Sequence, residues 1–227
     1  MSPGAFAEVL RIPERNLVPV PEGFDLTKAA PTEPLAVSYH AVNHAAHFLP
    51  LTLAASRCAV LGAGAIGLGC ALVLAMHGAR DIYIGELNDA RREAAIAAGN
   101  GRLKGYVPDT SDAPSESSID FVIDAVGAVT TRREASRITK PGSVIVHVGL
   151  LPGSEGLDVR KVTLQEITFT GSYCYTPQDF RETLDAMTSG RLGALNWFEE
   201  RPIAKGTLAF HDLDEGRVSA AKVVLRP

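Results

Sequence analysis

Hydrophobic and polar positions fall in blocks whose period changes along the chain. Arg57–Leu61 is a short apolar run, and Ala65–His77 stays apolar over about three helical turns. Asp81–Glu86 (DIYIGE) repeats every second residue, as a strand does, whereas Asn88–Ala98 is rich in helix formers and carries a charged face. A Ser-, Asp- and Pro-rich stretch, 108–118, reads as a loop. Ile119–Ala125 (IDFVIDA) reads as a buried strand, Val129–Thr139 as a helix and Ser143–Val148 (SVIVHV) as another strand. Gly142, beside Pro141, fits a helix stop and turn before that last strand. Strands alternating with helices of this length predict βαβ crossovers, hence an α/β fold with a doubly wound parallel sheet covered on both faces.

The two ends follow other patterns. Residues 4–20 (GAFAEVLRIPERNLVPV) alternate like strands broken by Pro13 and Pro19, with no helix between them. Thr32 as N-cap and Pro34 in the first turn open a helix that runs to about His47. Pro177–Ser189 is an amphipathic helix closed by Gly190. The last segment carries Trp197, Phe198 and Phe210 and ends in a strand, Ala221–Leu225.

Composition narrows the class. With 227 residues, 46% hydrophobic and 21% charged, the chain has ample core for one large or two small domains and is no disordered tail. A formal net charge of −4 without a basic stripe argues against a nucleic-acid partner. Cys58, Cys70 and Cys174 are odd in number and form no CxxC pair, which predicts a reducing, cytoplasmic setting. The N-terminal residues lack the basic-then-apolar order of a secretory signal. Cys58–Ala79 is long and apolar enough to test as a membrane span. Its five glycines and the lack of flanking basic clusters favour a strand, a glycine turn and a packed helix instead, so no membrane partner is expected.

The sharpest chemical signal is Gly62-Ala-Gly64-Ala65-Ile66-Gly67, placed directly after one predicted strand and opening the next helix. Gly62 permits the tight turn, Gly64 leaves room for a pyrophosphate beside the backbone, and Gly67 lets helix and strand pack closely. The helix N-terminus then offers free N–H groups and positive dipole charge to phosphate. Glu86 stands nineteen residues past Gly67, at the end of the second predicted strand. A carboxylate there accepts both ribose hydroxyls of an adenosine and repels a 2′-phosphate, which selects NAD over NADP. A methyltransferase also pairs a glycine turn with an acid after its second strand, and that alternative stays open at this level. His40, His44 and His47 share one helix face, but without an HExxH arrangement they read as packing and hydrogen-bonding residues rather than a metal cluster. Neither Tyr173 nor Tyr175 is followed four residues on by Lys, so a Tyr-x-x-x-Lys reductase is excluded.

A longer ordered set of motifs adds to this. Gly-Ala-Phe-Ala-Glu (4–8), Arg-Asn-Leu-Val-Pro-Val-Pro-Glu-Gly (15–23), Glu-Pro-Leu-Ala (33–36), the GAGAIG turn, His-Val-Gly-Leu (147–150) and Ile-Thr-Phe-Thr-Gly-Ser (167–172) occur in that order. Asp-Phe (179–180), Ser-Gly-Arg-Leu (189–192) and the closing Lys-Val-Val-Leu (222–225) follow. In this combination, over nearly its whole length, the chain resembles the zinc-dependent medium-chain alcohol dehydrogenases, in the branch of sorbitol and threonine dehydrogenases.

The resemblance implies a Rossmann domain for NAD over residues 31–175. It implies remnants of a chaperonin-10-like catalytic domain at 1–30, and a return segment, 176–227, that packs with that domain. It implies cofactor contacts from Gly62, Gly64, Ala65, Ile66, Gly67, Glu86 and Arg91, the last near the adenine ribose. Val126, Gly127, Val148, Gly149 and Leu150 would follow towards the nicotinamide, with Ser172 and Tyr173 nearest the substrate. It also implies a small-molecule alcohol substrate and a homodimer joined along an edge strand at Ile167–Tyr173. Zinc serves the complete family enzyme through a Cys and a His-Glu pair that lie ahead of the segment present here. Of that shell only Glu33 has a counterpart, and Cys174 replaces an Arg of the sorbitol-type enzymes. The chain is therefore expected to bind NAD(H) without running the metal-assisted reaction, and to expose apolar surface at residues 1–30 and around Trp197, Phe198 and Phe210.

Overall fold

The computed structural model describes residue 4 and residues 6–227. In chain order the elements are α1 (Leu26–Ala29), α2 (Thr32–Ala46), β1 (Arg57–Leu61), α3 (Ala65–Met76), β2 (Asp81–Gly85), α4 (Asp89–Ala98), β3 (Leu103–Tyr106), β4 (Ile119–Asp124), α5 (Val129–Ile138), β5 (Thr139–His147), α6 (Val159–Leu164), β6 (Thr168–Gly171), α7 (Pro177–Thr188), β7 (Phe198–Pro202), α8 (Gly206–Asp214) and β8 (Lys222–Arg226). Six strands form one sheet in the order β3-β2-β1-β4-β5-β6, every neighbouring pair parallel. This is the doubly wound Rossmann arrangement predicted from the alternating pattern. The order in which strands are added reverses between β1 and β4, and the crevice outside their carboxyl ends is where such sheets take ligands.

Strand periodicity divides the core into two layers. Phe121 and Ile123 of β4 and Val144 and Val146 of β5 join Leu35, Leu68 and Leu74 on the face covered by α2 and α3. Val122 and Ile145, one residue out of step, join Leu61 and Ile138 on the face covered by α5. Among the described residues, no helix is long and apolar enough to cross a membrane. The α2–α3 contact is close because Gly69 faces Ser38. A Cβ on Gly69 would lie 2.4 Å from Ser38 Oγ. That hydroxyl donates to the Pro34 carbonyl within α2, and the same oxygen lies 2.9 Å from the Ile66 carbonyl of α3.

Several predicted features are corrected by the structure. No strand forms among the described residues of 4–20; a single 3-10 turn, Glu14–Asn16, occupies the middle of a mostly exposed segment. Pro13, Pro19 and Pro21 remove donors there, and an alternating pattern makes a strand only where a neighbour is available to pair. Thr32 does not cap α2: it is the first helical residue, and its hydroxyl donates to the Ala29 carbonyl. Gly142, with φ +67, lies inside β5 rather than before it, at an irregularity where the β4–β5 register shifts. β3, α6, β7 and α8 carry too little periodicity to have been read. Trp197 is not exposed: it is 4% accessible and belongs to the same core cluster as α2 and α3. Phe210 and Phe6 do remain exposed and meet edge-to-face, with ring centroids 5.6 Å apart.

The Gly69–Ser38 contact yields a packing test. Gly69→Ala is expected to destabilise the fold by about 1–3 kcal/mol in denaturant unfolding, as overpacked helix interfaces do. Adding Ser38→Ala removes the nearest atom and is expected to recover part of that loss in a double-mutant cycle.

Candidate functional site: a dinucleotide crevice

The glycine turn is built by close backbone approach. Gly62 has φ +95, and a Cβ there would lie 2.5 Å from Val126 Cγ2, on the turn after β4. A Cβ on Gly67 would lie 1.9 Å from the Gly62 carbonyl oxygen, so only glycine lets α3 start this near β1. Gly64 is different: a Cβ there would meet nothing within 4 Å. It is the residue that precedes α3, facing open space at the positive end of the helix dipole. The first turn-closing bond of α3 runs from the Leu68 N–H to the Gly64 carbonyl. Ala65 and Ile66 complete that turn, and the Ile66 side chain packs against the core beside α2 rather than standing free in the crevice.

Glu86 follows β2, and its side chain folds back onto the glycine turn. One carboxylate oxygen accepts the Ala63 N–H at 2.9 Å and the other the Asn88 N–H at 3.0 Å. The Arg91 guanidinium stands 3.9 Å away. The carboxylate is therefore locked in place over the turn, with lone pairs left for hydroxyl donors. A cleft of about 360 Å³ opens beside it. Gly62, Glu86, Arg91 and Val126, all predicted, line this cleft together with Pro108, Asp109, Thr130 and Thr131, which sequence reasoning missed. The last four sit in the loop after β3 and the first turn of α5; nothing in their local pattern distinguishes them from surface loop.

The second half of the crevice is assembled by backbone. Asp124, at the buried end of β4, accepts the Val126 N–H at 3.1 Å and the Gly127 N–H at 2.8 Å through one carboxylate oxygen. Its own carbonyl accepts the N–H groups of Val148 and Gly149. Gly127 has φ +77, and a Cβ on Gly149 would lie 2.0 Å from the Val126 carbonyl carbon, so the two strand-end turns touch backbone to backbone. Leu150 and Tyr173 are 82% and 78% exposed, so this end is open. The Ser172 N–H donates to the His147 carbonyl, tying the end of β6 to β5.

The remaining candidates separate cleanly. His40 Nδ1 pairs with Asp179 of α7 at 2.9 Å, and the His40 and His44 rings stack, so this row holds α2 to α7. Cys58 and Cys70 are buried, and burial pushes both thiols up to about 12, leaving neither a nucleophile. Cys174 is exposed and free. Glu33 is exposed in the first turn of α2, where its charge, after burial, is the next cause that raises the neighbouring Tyr175 hydroxyl above its ordinary pKa. Among the described residues no three His, Cys, Asp or Glu side chains converge as metal ligands, and Met1, Ser2, Pro3 and Ala5 are of none of those types.

Comparison with known proteins places the chain. Residues 65–189, more than half of it, match the family model described as zinc-binding dehydrogenase, and the chain belongs to that family. It is 31% identical over 198 residues to L-galactonate-5-dehydrogenase of Escherichia coli strain K12, covering 84% of this chain and 56% of that protein. It is 29% identical over 241 residues to (R,R)-butanediol dehydrogenase of Saccharomyces cerevisiae, covering 99% of this chain and 61% of that one. Acetophenone reductase of Geotrichum candidum, solved in complex with NAD, has the same fold at a TM-score of 0.81 and 23% identity, over 94% of this chain and 60% of that one. The chain thus spans little more than half the length of these relatives. The family carries zinc in its name, but the residues present do not fit a catalytic zinc, which takes three protein ligands.

Proposed function

We propose that the chain binds NAD(H) and forms the cofactor-binding part of an alcohol or polyol dehydrogenase, which transfers hydride between a primary or secondary alcohol and NAD. The observation that carries this reading is the Glu86 carboxylate, fixed by the Ala63 N–H over the glycine turn and beside the cleft. A ribose in that cleft finds an acceptor for its hydroxyls, and a 2′-phosphate finds a negative charge. The start of α3 and the open face of Gly64 receive the diphosphate. Backbone groups of Val148, Gly149 and Leu150, with Ser172 and Tyr173 beyond them, face the nicotinamide. When bound, the cofactor supplies a nicotinamide ring that accepts or returns hydride. L-galactonate and butanediol, for which two relatives are named, each carry more than one hydroxyl, which supports a small polyol as substrate.

A second reading, a non-catalytic NAD(H)-binding module or assembly partner, is favoured by the lack, among the described residues, of three side chains converging as metal ligands. Three free cysteines, two of them buried, support a cytoplasmic location. β6 is the sheet edge, with Phe169 exposed on it, and we place the homodimer contact there.

NADH titrated into the purified chain is expected to bind more tightly than NADPH. In Glu86→Gln, NADH affinity is expected to fall about tenfold or more, as loss of a charge-assisted bond does, with the gap to NADPH narrowing. No NADH binding by the wild type would overturn the cofactor reading. After zinc loading and gel filtration, the chain is expected to hold well under one equivalent of metal and to produce no NADH from alcohols. A full equivalent of zinc with turnover would decide for the complete reaction. Sedimentation is expected at twice the monomer mass, and Phe169→Asp is expected to give monomer; a wild-type monomer would remove the edge-strand contact.

A further inference from the structure

Arg132, in the second turn of α5, is 4% exposed. Its Nη1 donates to the Gly127 carbonyl at 2.5 Å and its Nε to the Glu155 carbonyl at 2.5 Å, while Nη2 is buried with no partner. A buried guanidinium satisfied only by carbonyls is costly to keep, and an apolar side chain would fill a helix face more cheaply. What the charge holds is informative. Gly127 is the turn after β4, and Glu155 lies in the loop that leaves β5 through Val148, Gly149 and Leu150.

The Gly127 peptide groups are gripped from both sides by buried charged residues. Asp124 accepts the Gly127 N–H, and Arg132 donates to the Gly127 carbonyl. The same loop is close-packed at its far end: Gly156 has φ +102, and a Cβ there would lie 2.2 Å from the Val129 carbonyl oxygen. Most of residues 150–155 are otherwise exposed. Backbone bonds to Asp124 and Val126 hold the loop's first residues, and two contacts clamp its exposed remainder: the Arg132 fork and the Gly156–Val129 approach.

We propose that Arg132 is a positioning residue for the nicotinamide end of the cofactor. It acts through the backbone, holding the loop that begins at Val148–Leu150 against the Gly127 turn in one conformation. The cofactor half that occupies the strand-end turns of β4 and β5 gains most from this; the half beside Glu86 meets the same turn only at Val126 and Ala128 and does not touch the loop. The inference rests on the NAD(H) reading above and divides its crevice into two energetically separable halves.

The test compares NADH with ADP-ribose, which lacks the nicotinamide. In Arg132→Met, NADH affinity is expected to fall about tenfold or more, the usual consequence of removing a charged donor from buried carbonyls. ADP-ribose meets the same turn only at Val126 and Ala128 and does not reach the 148–155 loop, so its affinity is expected to fall clearly less, by no more than about threefold. Arg132→Lys keeps the charge and reaches one carbonyl, so it is expected to restore part of the NADH affinity. Gly156→Ala pushes the loop out while leaving Arg132 intact, and the same NADH-selective loss is expected there. Equal weakening of both ligands, or unchanged NADH binding, overturns the proposal; if Arg132→Met does not fold, Gly156→Ala decides alone by the same criterion. A wild-type chain that binds neither ligand is a different result, because it removes the cofactor reading itself and this inference with it.

Discussion

The structure depends on one constraint: three backbone turns must meet at the carboxyl ends of β1, β4 and β5 so closely that glycine is required at each contact. Gly62 lies against Val126, Gly67 against the Gly62 carbonyl, and Gly149 against the Val126–Gly127 peptide. Each contact is too close for a Cβ. The convergence is what lets α3 begin directly over the sheet, so that its free N–H groups and dipole point into the crevice. Parallel strands buried on both faces can supply the walls, but only these glycines make the floor narrow enough for a flat, phosphate-bearing ligand.

Buried charge is then placed where those turns need fixing. Glu86 holds the Ala63 N–H, Asp124 holds the Val126 and Gly127 N–H groups, and Arg132 holds the Gly127 carbonyl. Each acts on backbone rather than on another side chain. A carboxylate or guanidinium buried against backbone polar groups is satisfied by geometry that cannot rearrange without breaking the strand ends. The crevice is thus shaped on one side by Glu86 and on its other side by the Asp124–Arg132 pair around Gly127. The exposure of Leu150 and Tyr173 marks the direction in which it remains open.

Most of the sheet was legible in the sequence because its strands are short apolar runs bounded by glycine turns, and its helices α2, α3, α4, α5 and α7 carry caps or periodic faces. The residues that escaped did so for identifiable reasons. β3 is only Leu103–Tyr106 and contains Lys104 and Gly105, too short and polar for a period to register. β7 reads Phe-Glu-Glu-Arg-Pro, a strand kept in place by parallel pairing with β8 rather than by pattern. Pro108, Asp109, Thr130 and Thr131 line the cleft because tertiary packing brings two distant loops to Glu86. Arg132 is one of two adjacent arginines in α5, and only its burial separates it from the exposed Arg133. The alternation at 4–20 misled because pairing, not pattern, makes a strand.

The geometry also explains how cofactor recognition can stand apart from metal chemistry in such a chain. The charged groups that fix the crevice turns, Glu86, Asp124 and Arg132, lie on elements that fix one another through the sheet. Glu33 lies on the first turn of α2, on an exposed face that contributes nothing to those turns. A metal there would need further ligands from another surface, whereas a dinucleotide needs only the strand ends and the start of α3. A catalytic zinc takes three protein ligands, and the described residues bring no such set to Glu33. The exposed Phe6 and Phe210 meet edge-to-face and, with Ala65 at the start of α3, line an apolar pocket apart from Glu33.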